Sequence, residues 1–396
     1  RLRSVVRLRP LSTRDVASSA DIAFAVGRNK LAIRREILER EGRADWLADS
    51  EYSFDAVLGP EASTSDVYAA AAAEVVPMVL KGDNCTIIAY GQTASGKTHT
   101  MLGAAAAGAA ASPSASSKPP ERGLVALAIA DILSRIEREA TAALAPAAAS
   151  PSGGAAAPHP EGLLSRRCYR LRASVLEVYN EQLNDLLAPE RTNLKIFEKP
   201  DGGVAVPGLS EWDVLTAADL DALLAAAERQ RHVGSTGAND RSSRSHLVCT
   251  LHVDSWAVAR EEAEALDEFG GRSPYGDGGL VAGGPPLTAA ATATDARVRT
   301  SSLQLVDLAG SERRQAVGEY QGFEGAAINK SLLSLSTIIH RLADLSAAGP
   351  AHSGPPLGPS PPTPHLPYRD SKLTRLLRPC LGGPAHAVVV AAVRES

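Results

Sequence analysis

NCTIIAYGQTASGKT, residues 84–98, decides the reading of this chain. Its first half is a short apolar run of the kind that forms a fully buried strand. Its second half, Gly91, Gln92, Thr93, Ala94, Ser95, Gly96, Lys97 and Thr98, fits the pattern G-x-x-x-x-G-K-[ST]. Each residue type has a physical reason to be there. The glycines let backbone N–H groups curl around a phosphate, and the helix that follows aims its first N–H groups at the same anion. Lys97 supplies a point charge for the β- and γ-phosphates, and the Thr98 hydroxyl suits Mg²⁺. A strand leading into this turn and a helix leaving it are the context the motif requires.

Two further stretches fit the same site. Ser302–Val306 reads as a strand and runs into Asp307-Leu-Ala-Gly310, a D-x-x-G pattern. A carboxylate at a strand end can hold a magnesium-bound water, and the Gly310 N–H can sense a γ-phosphate. The run NDRSSRSH (239–246), dense in hydroxyls and arginines, reads as a loop folding over that phosphate. Around these motifs the periodicity predicts strands at 4–9, 169–179, 247–253 and 387–393. It predicts helices at 64–81, 123–139, 216–231, 326–344 and 370–378. Thr64 is a candidate cap for the first helix, Pro77 is expected to distort its last turn, and Thr216 with Asp219 reads as a capping box. Strands alternating with helices predict a three-layer α/β fold of the P-loop NTPase kind, with a mostly parallel or mixed central sheet.

The chain has 396 residues, which alone suggests two or three domains. Alanine, glycine and proline make up about a third of it, much of this in four stretches at 104–120, 140–162, 261–297 and 346–364. These read as loop insertions without stable structure, leaving about 300 residues for one large domain. A formal net charge of −4 argues against a globally basic nucleic-acid binder. No apolar run reaches the roughly 20 residues a membrane helix needs. The four cysteines stand far apart, without zinc or redox spacing. The expectation is a reduced, soluble, intracellular protein. The N-terminus lacks an initiator Met and reads as a fragment start.

The combination AYGQTASGKTHTM (89–101), NDRSSRSH (239–246), LVDLAGSER (305–313), INKSL (328–332) and PYRDSKLTRLL (367–377) resembles the kinesin motor domain, in that family's order. VVRLRP (5–10) and FDAVLGPEA (54–62) begin the chain as the family does, and the likeness covers nearly everything outside the four stretches. GQTASGKT and EKPDGGVAVPGL (198–209) are most similar to the centromere-associated group. The resemblance implies ATP and Mg²⁺ as ligands, with Thr98, Ser243 and Asp307 at the metal, Asp307 through water. It implies that Arg7, Arg9 and Pro10 frame the adenine with His99 nearby, and that Ser242 and Ser243 lie by the γ-phosphate. Arg244 and Glu312 would pair across the two switches, and Asn329 would tie the following helix to the nucleotide loops.

For the partner, the resemblance implies tubulin. Arg369, Lys372, Arg375 and Arg378 recur every third residue and spread cations over one broad helix face, with Arg313, Arg314, Lys330 and Arg341 added to it. Between GSER and INKSL the chain carries no Lys or Arg after Arg314, where the family is usually basic, which predicts weakened microtubule affinity. The expected setting is the cytoplasmic cytoskeleton, with no nucleic-acid or membrane partner, and with dimerisation left to a neck and tail outside these residues. The competing readings are a non-motile microtubule-binding module with slow turnover, and a GTPase. The GTPase needs an N-K-x-D motif, and its nearest candidate, Asn329 to Leu332, ends in leucine.

Overall fold

A computed structural model describes residues 2–10, 23–33, 51–104, 121–144, 166–200, 203–233, 241–258, 298–312, 319–347, 366–381 and 385–394. The main sheet is built from β1 (Leu2–Arg9), β5 (Ala56–Leu58), β6 (Cys85–Tyr90), β7 (Arg166–Tyr179), β8 (Gln182–Asp185), β11 (Trp212–Asp213), β12 (His246–Val258), β13 (Arg299–Asp307) and β14 (His386–Arg394). Its order is β11-β7-β12-β13-β6-β14-β1-β5, with β8 paired to β7. The half from β13 to β5 is parallel and the half from β11 to β13 is antiparallel, so the sheet is mixed. Smaller sheets join β2 (Ala23–Val26), β3 (Lys30–Ile33) and β4 (Glu51–Ser53), and β9 (Phe197–Glu198) with β10 (Val204–Ala205).

The predicted apolar run becomes the central strand. β6 lies between β13 and β14, parallel to both, and is buried along its length except at Tyr90. Its alternation sends Cys85, Ile87 and Ala89 into the larger core and Ile88 into the core on the opposite face. The larger core is covered by α1 (Thr64–Ala71), α2 (Val75–Lys81), α4 (Leu124–Leu144) and α5 (Ala217–Val233), which follow the short α3 (Lys97–Leu102) or flank it in sequence. The other face is covered by α6 (Glu319–Ala347) and α7 (Lys372–Leu381), through Ile328, Leu332, Leu335, Leu373, Leu376 and Leu377. Each such fully buried aliphatic side chain contributes roughly 1.5–3 kcal/mol. Register then fixes the site: Asp307 stands opposite Ala89, so the ends of β13 and β6 deliver their loops side by side.

Two expectations about helices change. The segment 64–81 forms two helices rather than one, with the break at 72–74, upstream of the predicted distortion at its end. Pro77 has no N–H for Ala73 and its ring crowds that carbonyl, so the chain restarts and Pro77 sits in the first turn of α2, where it is tolerated. The cap of α1 is Ser63, in a reciprocal capping box with Asp66, rather than Thr64, which is buried. The Thr216–Asp219 box forms as expected. α4 runs on to Leu144 and α6 to Ala347, so both enter stretches read as insertions. The remainder of the four stretches, 105–120, 145–162, 261–297 and 348–364, lies outside the described residues.

Candidate functional site

The loop between β6 and α3 closes on itself in the way the glycine spacing requires. Gly91 has φ +150°, and a Cβ there would sit 2.2 Å from the Ala392 carbonyl and 2.7 Å from Ser95 Oγ. Gly96 caps α3 with φ +98°, and Ala94 between them takes φ +62°, a conformation that costs an L residue about 1–2 kcal/mol. Lys97 is buried, and its ammonium donates to the Gln92 carbonyl at 2.7 Å, so the charge turns back into the loop's concavity. Ser95 is buried beneath the same turn, its N–H bonded to the Gln92 carbonyl at 3.2 Å.

Thr98 and Asp307, 209 residues apart in sequence, are brought together: the Thr98 hydroxyl donates to Asp307 Oδ2 at 2.7 Å. Arg231, from the last turn of α5, donates to the same oxygen at 3.3 Å and forms a buried ion pair with it. Its remaining nitrogens hold Ser245, Nε to the hydroxyl at 3.0 Å and Nη2 to the carbonyl at 2.8 Å. Nothing in the sequence marks this arginine, which reads as an ordinary basic residue at a helix C-terminus. Asp307 Oδ1 is buried and has no hydrogen-bond partner among the described residues. A buried carboxylate oxygen with free lone pairs, beside a threonine hydroxyl, fits hydrated Mg²⁺.

The turn after β13 binds both neighbouring loops. Leu308 N–H donates to Ala89 O at 3.3 Å, Gly310 N–H to Ser243 O at 3.1 Å and Ser311 N–H to Gly91 O at 3.1 Å. Ala309 N–H donates to His246 Nδ1 at 2.9 Å. The Gly310 N–H therefore already has a partner, and meeting a phosphate oxygen requires it to leave Ser243. Glu312 is seated on the P-loop: its carboxylate accepts from the Thr93 N–H at 2.7 Å and from the Thr93 hydroxyl. Gly310 packs against this contact so closely that a Cβ would lie 2.2 Å from Thr93 Oγ1. Ser242 and Ser243 lie in a 3₁₀ turn (Arg241–Ser243), whose Arg241 is anchored on the buried Glu177 at 2.6 Å and stacks over Tyr179.

His246 is fully buried, and burial, with the Arg231 and Lys97 cations adding to it, lowers its pKa from 6.5 to about 3. The imidazole is therefore neutral in the folded chain. Below about pH 6.5 the unfolded chain takes up a proton that the folded one refuses, so stability falls as pH drops from 6.5 toward 3. Urea unfolding of the wild type and His246→Asn at pH 7 and pH 5 checks this: the variant is expected to lose less stability between the two.

The sequence model described as the kinesin motor domain matches residues 7–396. This chain belongs to the kinesin motor-domain family. Kinesin-like protein KIN-7I of Oryza sativa subsp. japonica is 33% identical over 393 residues, covering 98% of this chain and 25% of that protein. Kinesin-like protein KIN-7L, chloroplastic, of Arabidopsis thaliana is 36% identical over 395 residues, covering 98% of this chain and 30% of that protein. The chain thus spans about a quarter to a third of the length of these relatives. A solved structure of a fast kinesin matches in fold with a TM-score of 0.68 at 24% identity, covering 100% of this chain and 85% of that one.

With the kinesin fold in hand, the residues expected at the adenine can be placed. Arg7 is buried, and its guanidinium donates to the hydroxyls of Thr64 (3.1 Å) and Thr100 (2.9 Å), with Glu121 at 4.0 Å. It braces α3 against α1. Arg9 donates to the Ala94 carbonyl at 2.6 Å, supporting the strained point of the P-loop, and Pro10 follows it at the exposed end of β1. His99 sits 3.6 Å from Glu121, its pKa lowered by burial and then by Arg7, with Glu121 opposing. Glu121, absent from the sequence reading, also accepts the Thr64 N–H and so ties the start of α1 to this corner.

The track contacts were expected on one helix face carrying Arg369, Lys372, Arg375 and Arg378, but Arg369 lies in a separate 3₁₀ turn (Tyr368–Asp370) before α7, and the face is not the bare row of cations the spacing suggested. Arg369 (3.0 Å), Arg375 (3.8 Å) and Arg378 (2.8 Å) all converge on one carboxylate, Glu198 of β9. Lys372 reaches Asn193 Oδ1 at 3.4 Å, while its backbone N–H is taken by Glu181. Arg369 stays largely open, with 78% of its side chain exposed. Lys330 and Asn329 are exposed on α6, and the buried tie from that helix to the switch comes from Ser331 instead. Arg313 and Arg314 lie outside the described residues.

Proposed function

We propose that this chain is the catalytic head of a microtubule motor, hydrolysing Mg-ATP by in-line attack of water with turnover stimulated by microtubules. The observation that carries the reading is the junction of Thr98 with Asp307, whose second oxygen is left without a partner. Bound Mg²⁺ supplies neutralisation of the charge developing on the β- and γ-phosphate oxygens. Lys97 holds the same phosphates from the loop, and Thr98 with Asp307 orients the metal's hydration. Ser242 and Ser243 close over the γ-phosphate, and Gly310 exchanges Ser243 for a phosphate oxygen. Glu312, released from Thr93, pairs with Arg244 and orders the attacking water. Arg9, Pro10 and His99 flank the base.

The acidic tubulin surface is met by Arg369, Lys372, Arg375 and Arg378, with Lys330 and Arg313 adding their charge. Glu198 moderates this contact, because a tubulin carboxylate competes with it for three guanidiniums. Glu198→Gln is expected to tighten microtubule binding roughly two- to fivefold at low salt, with the gain shrinking as salt rises. Co-sedimentation at two ionic strengths checks it. The motor reading itself is tested by co-sedimentation with an ATP analogue against ADP. A motor binds polymer more tightly with the analogue; equal affinity in both states favours a non-motile binding module. Among the described residues no helix is long and apolar enough to cross a membrane.

A further inference from the structure

Of the four consecutive N–H groups at Leu308 to Ser311, three go to backbone carbonyls and one, from Ala309, goes to a side chain that reaches further. His246 Nε2 lies 2.8 Å from Ser331 Oγ, and the Ser331 hydroxyl donates to Ile328 O at 2.8 Å. Ser331 has only one proton, already directed at Ile328, so Nε2 must be the ring nitrogen that donates. That leaves Nδ1 bare to accept from Ala309, and both bonds agree on one tautomer. His246, Ala309 and Ser331 are each at most 2% exposed, so water does not compete for these bonds. The ring is held from behind by β12, which pairs with β7 along its whole length from His246↔Val178 onward. It is a rigid, neutral connector between the phosphate-facing turn and α6.

We infer that His246 and Ser331 form the positioning link through which the turn carrying Gly310 sets the placement of α6. The neighbouring bonds explain why. Gly310 must give up Ser243 to meet a phosphate oxygen, whereas nothing about the phosphate asks Ala309 to leave His246. The turn therefore keeps its hold on the imidazole as it rearranges, and displacement at Ala309 is passed through the ring to Ser331 and the helix that carries it. Neither residue touches substrate; both act by holding other groups. The inference rests on the motor reading above and adds the route by which nucleotide state reaches α6.

The test is amide hydrogen exchange across α6 in the full 396-residue chain, compared between Mg-ADP and a non-hydrolysable Mg-ATP analogue. The wild type is expected to change exchange rates in the first half of α6 on swapping nucleotides. In Ser331→Ala that difference is expected to shrink at least fivefold, while affinity for both nucleotides stays within twofold. His246→Asn, which keeps an acceptor near Nδ1 but loses the donor toward Ser331, should behave alike, and Ser331→Thr should restore the response. A full-sized response in folded Ser331→Ala, or none in the wild type, overturns the link. Microtubule-stimulated phosphate release separates the two proposals. A wild type whose α6 responds but whose turnover ignores polymer sinks the motor reading alone. Stimulation retained in Ser331→Ala together with the α6 response sinks the link alone.

Discussion

Lys97→Ala is expected to lower ATP turnover by roughly 10²–10³-fold, the usual loss when one preorganised charge is removed from a developing anion. The expectation follows from where the ammonium lies. It is buried against the Gln92 carbonyl inside the loop, so it meets a phosphate without first being gathered from solvent. Alanine also removes the bond that holds the loop's concavity closed, so nucleotide affinity should fall as well. Phosphate release at saturating ATP, read beside a thermal melt, isolates the effect. Turnover within threefold of wild type in a folded protein would contradict the assigned role.

Asp307→Asn should be strongly destabilising, at about 3–5 kcal/mol, because it removes the buried carboxylate that faces the Arg231 guanidinium at 3.3 Å. Both side chains are almost fully buried, 3% and 1% exposed, so solvent does not replace the lost carboxylate. Denaturant unfolding in EDTA measures this apart from any metal effect. Replacing Arg231 by leucine in the same molecule should recover part of the loss, since removing both charges of a buried pair costs less than removing one. A double variant no more stable than Asp307→Asn would mean that the pair is not what holds this corner together.

The parts that were legible in the sequence are those whose signal is local. The run 84–98 carries strand, turn and helix start within fifteen residues, and Asp307 announces itself as the polar end of an apolar strand. The fold follows, because a P-loop strand must be central and parallel to its neighbours. What escaped depends on pairings between distant residues. Arg231 with Asp307, Glu198 with three arginines and His246 with Ser331 join positions 76 to 180 apart, and no spacing rule points to them.

The inward seat of Arg7 follows from the two-residue period of β1, which puts it on the same face as Val5, a core residue. The break at 72–74 is half legible: Pro77 marks a distortion, but its steric effect falls on the carbonyl four residues earlier rather than on its own turn. Glu312, expected to pair with Arg244, accepts from the Thr93 N–H and hydroxyl in this structure, a contact between distant residues that no spacing rule points to.

Steady-state phosphate release by this chain, with and without polymerised tubulin, tests the central claim most directly. The account predicts slow basal release that rises at least tenfold with saturating microtubules, with half-maximal stimulation shifting to higher polymer concentration as salt is added. Release that stays at the basal rate across the full range of polymer would contradict it.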